Sequence, residues 1–256
     1  MVDIQEEIDE RGILLNHVGI KNLRYPIRVL EKSSAYQNSV ASINMFVELD
    51  EKKRGIHMSR LIELLHEWNS TVSYETLKTL LRRMKESLES EQAYIEMNFP
   101  FFVKKCAPVT NKEGLVDYEY YIAGRLDKND NYELIFKVNV PITSVCPCSK
   151  AISDDGAHNQ RGEVSITVKT NGELYIEKII EIAENAASSS VFSILKRPDE
   201  KYVTENGFNN PKFVEDIIRD VAISLKQVDY ISWFDVSVEN FESIHNHNAF
   251  ARIIHV

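Results

Sequence analysis

The chain has 256 residues, of which 43% are hydrophobic and 27% are charged, a balance typical of a folded globular protein with room for two domains and not of a disordered chain. With 30 Lys and Arg against 39 Asp and Glu, the formal net charge is −9, so the chain lacks the basic footprint that binds nucleic acid phosphates. No apolar stretch approaches the roughly 18 residues of a membrane-spanning helix, and the acidic beginning does not resemble a secretory signal, so we expect a cytoplasmic protein with no nucleic acid or membrane partner.

The first half of the chain shows two kinds of apolar periodicity. Alternating apolar and polar residues predict strands over 18–31, 39–49, 93–103 and 118–126. Between the second and third strands, leucines and methionines recur at helical spacing, which predicts helices over 58–65 and 77–88. The order is therefore strand, strand, helix, helix, strand, strand.

The second half repeats this order. The predicted strands are 132–143, 163–170, 230–238 and 249–255, and a first helix is predicted over 176–195. A second helix is predicted to begin with Asn210 as its N-cap and Pro211 at its first position, followed by an apolar stripe over 214–225. The charged stretch 196–205 is then the link between the two helices.

The repeat predicts an α+β protein built from two tandem units. Each unit would hold an antiparallel four-stranded sheet with two helices between its middle strands. We assign 1–17 to an N-terminal extension, 18–128 to the first unit and 129–256 to the second unit. Each sheet would leave two edges exposed, which favours an oligomer whose subunits pair through edge strands.

Three cysteines, Cys106, Cys146 and Cys148, are too few for a disulfide scaffold, so they are predicted to be thiols, metal ligands or nucleophiles. Cys146 and His158 fall between two predicted strands, and a thiolate with an imidazole suits zinc or iron. Because there is no second cysteine pair, a site with an open coordination position is favoured over a closed one. The alternative is two small buried cysteines that happen to lie near a surface histidine.

Three further features carry candidate chemistry. His245 and His247 would face the same way in an extended segment, where they could bind a metal, move protons or cap a turn. The mixed charges of 196–205 indicate either a solvated surface or carboxylates that complete a metal site. Glu215 falls early in the second helix, where a carboxylate also stabilises the helix by itself.

Six segments form an ordered set along the chain: 55–60 (Gly-Ile-His-Met-Ser-Arg), 144–150 (Ser-Val-Cys-Pro-Cys-Ser-Lys), 156–161, 195–205, 210–216 and 242–247. Together they resemble the type IB GTP cyclohydrolase I family. The resemblance covers nearly the whole chain from Gly19 onward, and residues 1–17 match least. It implies the tunnelling fold, in which an antiparallel four-stranded sheet with two helices between its middle strands is repeated in tandem.

The same resemblance implies an activity and an assembly. The activity is the first committed step of folate-type pterin synthesis, in which GTP and water give dihydroneopterin triphosphate and formate. The assembly is a homotetramer with active sites at subunit interfaces. The implied cofactor is one divalent metal per site, and a thiolate, an imidazole and a carboxylate accommodate zinc, manganese or ferrous iron.

Matching positions imply roles for individual residues. The implied metal ligands are Cys146, His158 and Glu200. Glu215 would anchor the purine and so control base choice. The predicted catalytic residues are Cys146, His245 and Cys148: His245 would lie beside the reacting centre, and Cys148 would be a thiol near Cys146 that is not a ligand. The candidates for binding the triphosphate are His57, Arg60, Lys150, Arg161, Arg197 and Lys201.

Three other functions stay open at this point. An archaeal-type GTP cyclohydrolase shares the chemistry but releases a cyclic phosphate. A tunnelling-fold nitrile reductase uses a cysteine nucleophile and a nicotinamide, and it needs no metal. A non-catalytic metal-binding or purine-binding protein would release no formate from GTP.

Overall fold

The structure is a computed structural model that describes residues 3–255. After one turn of 3₁₀ helix at Ile4–Glu6, the first half contains β1 (Leu15–Leu30), β2 (Tyr36–Leu49), α1 (Met58–Glu67), β3 (Thr71–Val72), α2 (Tyr74–Leu88), β4 (Ala93–Cys106) and β5 (Glu113–Leu126). The second half contains β6 (Tyr132–Val145), α3 (Pro147–Ile152), β7 (Asn159–Thr170), α4 (Ile176–Ala186), β8 (Ser189–Ser190), α5 (Arg197–Asn209), α6 (Val214–Lys226), β9 (Ile231–Asn240) and β10 (Ala249–His255). Every predicted strand is present; β10 has the predicted bounds, and each of the others differs at one or both ends.

The strands follow one pairing order, β10-β9-β7-β6-β5-β4-β2-β1-β3, and β8 pairs with β6. The β1–β2, β2–β4 and β9–β10 pairs are antiparallel, whereas the two-residue strand β3 joins β1 in parallel. The long helices fall between β2 and β4 and between β7 and β9. This mostly antiparallel sheet confirms the predicted α+β class.

The chain divides into two compact units that do not follow chain order. Unit 1 comprises the chain up to Pro100 together with Tyr121–Phe136 and Thr170–Leu174. Unit 2 comprises Phe101–Tyr120, Lys137–Lys169 and the chain from Tyr175 onward. These units are defined by compactness, whereas the predicted domains follow the order of strands and helices along the chain. The predicted domains 1–17, 18–128 and 129–256 therefore stay predictions.

Unit 1 has an apolar core beneath α1 and α2. The leucines of each helix that recur at helical spacing are buried, as the periodicity predicted. In α2, Leu81 packs on Gly124 of β5, where a Cβ would lie 3.2 Å from the leucine Cδ1. The absence of a side chain at this position therefore lets the helix approach the strand closely.

Unit 2 has its core between α6 and the neighbouring elements α4 and β9. Ile217, Val221 and Leu225 of α6 are completely buried. On β9, Phe234 and Val236 are buried in the same way. Helix α6 is thus held by apolar contacts, and its first turn remains at the edge of the unit, where Glu215 is exposed.

The helix boundaries of the second half correct three predictions. Helix α4 ends at Ala186 and not at Leu195. Helix α6 begins at Val214 after Phe213, whose N–H donates to the Asp216 carboxylate at 3.0 Å. Asn210 as its N-cap is therefore wrong: Asn210 ends α5, and its side chain donates to the Ala187 carbonyl at 2.9 Å.

The predicted link 196–205 is also wrong, because it forms most of α5. Asp199 in the first turn of this helix is completely buried. It accepts hydrogen bonds from the N–H groups of Val109, Thr110 and Lys196 at 2.8–2.9 Å, and from the Thr110 hydroxyl at 2.7 Å. Burial by itself raises a carboxyl pKa, but these bonds to the charged form outweigh it and lower the pKa of Asp199.

None of the helices within residues 3–255 is long and apolar enough to cross a membrane.

Candidate active site

One pocket of unit 2 gathers several of the residues singled out by sequence. It has a volume of about 390 Å³. Its lining is formed by Cys146, Gln160, Lys212, Phe213, Val214, Glu215, Asn240, Glu242, Ala249 and Phe250. The pocket therefore brings the predicted thiol ligand and the predicted purine anchor to the same cavity.

Cys146 reaches this pocket from the junction of β6 and α3. The strand ends at Val145, and Cys146 is the N-cap of the short helix that Pro147 begins. Its Sγ accepts a hydrogen bond from the Ser149 N–H at 3.4 Å, and its own N–H donates to the His158 carbonyl at 3.1 Å. Cys148 lies on the exposed side of the same helix.

The imidazole of His158 is held by a chain of buried polar groups. Its Nδ1 lies 3.0 Å from Gln160 Oε1, and Gln160 Nε2 donates to Ser144 Oγ at 2.8 Å. Gln160 and Ser144 are both buried. Because an amide oxygen only accepts, this contact assigns a proton to Nδ1, and the neutral tautomer that matches it has its lone pair on Nε2.

The turn between β9 and β10 contacts the same histidine. Ser243 Oγ lies 3.4 Å from His158 Nδ1. In this exposed turn the rings of His245 and His247 stack, with centroids 5.2 Å apart. The predicted catalytic residue His245 therefore belongs to a turn that is tied to His158, although its own ring packs on His247.

Glu215 lies in the first turn of α6 and lines the pocket. The nearby Lys212 also lines the pocket, but its ammonium group lies 2.7 Å from Asp220 Oδ2, which neutralises much of its charge. Glu215 and Glu242 therefore give the pocket an acidic wall, which suits a ligand that presents N–H donors.

Glu200, the third predicted metal ligand, is not among the residues that line this pocket. It is exposed on α5, and its carboxylate lies 3.3 Å from the Arg197 guanidinium. Across residues 3–255 the structure gathers no three His, Cys, Asp or Glu side chains that could hold a metal ion. The metal site formed by Cys146, His158 and Glu200 stays a prediction. Of these three residues, Cys146 and His158 are joined by a backbone hydrogen bond.

The basic residues that were predicted on unit 2 have other partners. Lys150 donates to the Phe208 carbonyl and lies over the Phe208 ring. Lys201 lies 3.8 Å from Glu205 in an exposed pair. Arg161 is exposed on β7, and its carbonyl accepts from the Phe241 N–H at 2.9 Å.

A pocket of unit 1 contains the other two predicted triphosphate ligands, His57 and Arg60. It has a volume of about 260 Å³ and is lined by Gln5, Lys53, Gly55, Ile56, His57, Arg60, Leu88 and Glu89. Three of these side chains are cationic or become so on protonation. Arg60 donates to the Ser87 carbonyl at 3.0 Å, and Lys53 lies 2.9 Å from Glu89. The Lys53 ammonium lowers the pKa of Glu89 through this contact.

Several residues of these pockets were not assigned a role from the sequence. Gln160 follows His158 by two positions at the start of β7. Side chains two positions apart share a face of a strand, so the sequence did indicate that Gln160 lies beside His158. Lys53 adjoins the quoted segment 55–60. Asn240 and Lys212 carried no signal, because only the fold brings them to the pocket.

Comparison with known proteins gives one consistent family. Residues 1–251 match the family model described as type I GTP cyclohydrolase FolE2. A GTP cyclohydrolase FolE2 from Syntrophobacter fumaroxidans is 50% identical over 253 residues, which cover 99% of this chain and 98% of that protein. One from Fervidobacterium nodosum is 49% identical over 249 residues, which cover 97% and 95%.

Solved structures resemble this chain in fold alone. The uricase from Arthrobacter globiformis superposes with a TM-score of 0.57 at 7% identity, covering 93% of this chain and 92% of that chain. A urate oxidase mutant from Bacillus sp. TB-90 gives a TM-score of 0.54 at 9% identity, covering 94% and 99%. These neighbours are tunnelling-fold proteins, so the predicted fold is confirmed.

Proposed function

The chain belongs to the type I GTP cyclohydrolase FolE2 family, and from this premise we propose that it opens the guanine ring of GTP. The reaction would consume GTP and water and give dihydroneopterin triphosphate and formate, as the first step of folate biosynthesis. We also propose that the enzyme is of subtype IB, the subtype that the sequence resembles. The observation that carries it is the pocket of unit 2, which Cys146 and Glu215 line together.

Glu215 would hold the purine. Guanine presents N–H donors at N1 and at its 2-amino group, and the two oxygens of a carboxylate accept two of them. Adenine does not offer this pattern, so Glu215 would determine base choice more than rate. Its position in the first turn of α6 also stabilises the helix, and that contribution is independent of any ligand.

One divalent ion of zinc, manganese or ferrous iron would be held by Cys146, His158 and Glu200. The chemistry of the donors fits: the Gln160 amide oxygen favours the tautomer with the lone pair on Nε2, and Cys146 Sγ accepts one long hydrogen bond among residues 3–255, from the Ser149 N–H. Glu200 would turn from Arg197 toward the ion. Such an ion supplies a nucleophile at neutral pH, because it lowers the pKa of bound water.

The protons of ring opening would be moved by His245. An imidazole exchanges protons near neutral pH, and the turn that carries His245 is tied to His158 through Ser243. Cys148 would act as a neighbouring thiol on α3 and not as a metal ligand. After formate leaves, the pocket would have to exclude water while the opened sugar rearranges and the ring closes.

The triphosphate would be bound by cationic side chains. His57 and Arg60 of unit 1 share their pocket with Lys53, whose ammonium group also pairs with Glu89. Lys150, Arg161 and Lys201 are the candidates on unit 2. We propose a homotetramer with active sites at subunit interfaces, so that one chain would supply cations to the substrate bound by another.

Formate release from GTP is the test. Metal-free protein would be prepared with a chelator and then reconstituted separately with zinc, manganese and ferrous iron, and formate and the pterin product would be measured. We expect formate only from reconstituted protein, with a linear triphosphate as the pterin product. A cyclic phosphate would indicate the archaeal-type reaction, and activity that needs no metal but requires a reduced nicotinamide would indicate a nitrile reductase.

A further inference from the structure

Asn240 at the end of β9 lines the same pocket as Glu215 but has no assigned role. Its side chain is only 3% exposed. Its amide oxygen is buried and has no hydrogen-bond partner among residues 3–255. A buried acceptor without a partner costs free energy, and most native acceptors of this kind are satisfied by protein, water or ligand.

The backbone around Asn240 is shaped to hold its side-chain amide in the pocket wall. The amide oxygen lies against Gly162 of β7, where a Cβ would come within 2.6 Å of it and within 2.8 Å of the Glu239 carbonyl. Any side chain at this position would therefore displace the amide. Gln160, two residues before Gly162 on the same strand, lines the same pocket.

Guanine has one more N–H donor on this edge than the Glu215 carboxylate accepts. Guanine carries three N–H bonds on one edge, one at N1 and two on the 2-amino group. The two oxygens of the Glu215 carboxylate accept two of them, which leaves one amino N–H unmatched. Asn240 lines the same cavity and carries a buried amide oxygen without a partner among residues 3–255, so this oxygen is the candidate for the third acceptor.

We propose that Asn240 is a specificity-determining residue whose amide oxygen accepts a hydrogen bond from the 2-amino group of the purine. This inference rests on the proposed function, since it takes GTP as the substrate and Glu215 as the anchor. It assigns to Asn240 a share, beside Glu215, of the distinction between guanine and hypoxanthine, which differ only in that amino group. A site built to bond an amino group discriminates against the analogue that lacks it.

The test compares GTP with inosine triphosphate (ITP) as substrates of the metal-loaded enzyme. Formate release gives kcat/KM for each nucleotide, and their ratio is the measure of base discrimination. We expect the unchanged enzyme to prefer GTP and Asn240→Ala to lower the GTP to ITP ratio about tenfold, with little change for ITP. Asn240→Asp keeps an acceptor oxygen at the same place and should retain most of the preference.

Asn139 offers a matched control. It lies on β6 in the same unit, its amide oxygen is also buried without a partner among the described residues, and it does not line the pocket. Asn139→Ala should therefore leave the ratio unchanged. Thermal melting of each variant separates a folding defect from a change in recognition.

The outcomes separate this inference from the proposed function. If the unchanged enzyme releases formate from GTP and Asn240→Ala keeps the full preference for GTP, the role of Asn240 is wrong and the activity stands. If Asn240→Ala weakens both nucleotides equally, the residue is structural, and the inference again fails. If the unchanged enzyme releases no formate from GTP, the proposed function fails and the inference fails with it.

Discussion

The pocket of unit 2 that Cys146 lines and the pocket of unit 1 that His57 lines hold their polar groups in different ways. In unit 2, the groups around Cys146 and His158 are fixed by a chain of short hydrogen bonds through buried Gln160 and Ser144. In unit 1, Arg60 and the other cations bond to a carbonyl oxygen or to partly exposed carboxylates. The first pocket is preorganised for particular atoms, whereas the second offers positive charge.

This difference matches the two tasks that the proposed reaction sets. Attack on a ring carbon requires donors and acceptors fixed to within a fraction of an ångström, and buried networks provide that precision. A triphosphate is bound chiefly by charge, which tolerates mobile side chains in water but is screened by salt. Substitutions in unit 2 should therefore reduce catalysis strongly, and substitutions in unit 1 should weaken binding in a salt-dependent way.

The largest effect is expected at the thiol of unit 2. Cys146→Ala or His158→Ala should abolish metal retention and lower formate release by more than about a hundredfold. Mutation of a residue that hydrogen-bonds to a metal ligand lowers metal affinity or activity about 10–100-fold, and loss of the ligand itself should cost more. Metal content by elemental analysis and formate release from GTP check this. Cys106→Ala, which removes an exposed thiol at the end of β4, is the matched control and should keep both. Full turnover by either ligand variant after chelation would refute the assigned roles.

A smaller effect is expected where the network of unit 2 is cut without touching a proposed ligand. Gln160→Leu removes the acceptor at His158 Nδ1, so the imidazole is no longer held in one tautomer. Metal affinity should fall about 10–100-fold. In the metal-free protein, the ¹⁵N shifts of His158 should change from a protonated Nδ1 to a mixture of tautomers.

Two variants sharpen this second test. Gln160→Glu keeps an acceptor beside Nδ1 and should preserve the tautomer. Gln227→Leu removes an exposed glutamine beyond the end of α6, so it should change neither the metal affinity nor the ¹⁵N shifts of His158. An unchanged His158 spectrum in Gln160→Leu would show that the imidazole is oriented by other contacts. Since that spectrum needs no metal, the result is independent of the proposed cofactor.

The sequence predicted the fold better than the connections within it. Apolar periodicity located every long strand, because burial on one face is a local property of the chain. It failed for α5, whose hydrophobic face is weak and whose start is fixed by Asp199 bonding to Val109 and Thr110, about 90 residues earlier. Pro211 was a misleading signal, since it follows the end of α5 as readily as it could begin α6.

The candidate site divides in the same way. Cys146 and His158 were found because their residue types carry chemistry that can be read locally, whereas the role of Glu215 was implied by the family resemblance. Asn240 was missed because an asparagine at a strand end is an ordinary surface feature until the fold buries it beside a pocket that Glu215 also lines. Sequence therefore identifies reactive groups more readily than the neutral groups that position substrate.

The smallest effect is expected in unit 1, and it tests whether that pocket acts through charge alone. Arg60→Gln keeps a hydrogen-bond donor but removes the cation, so the KM for GTP should rise about tenfold at low ionic strength with kcat nearly unchanged. The difference between variant and unchanged enzyme should shrink as salt is added, because screening weakens the lost attraction. Arg54→Gln, which removes an exposed arginine outside the pocket, should show neither effect. A salt-independent loss of kcat in Arg60→Gln would instead mean that this pocket, like that of unit 2, acts through fixed geometry, and the contrast between the two would disappear.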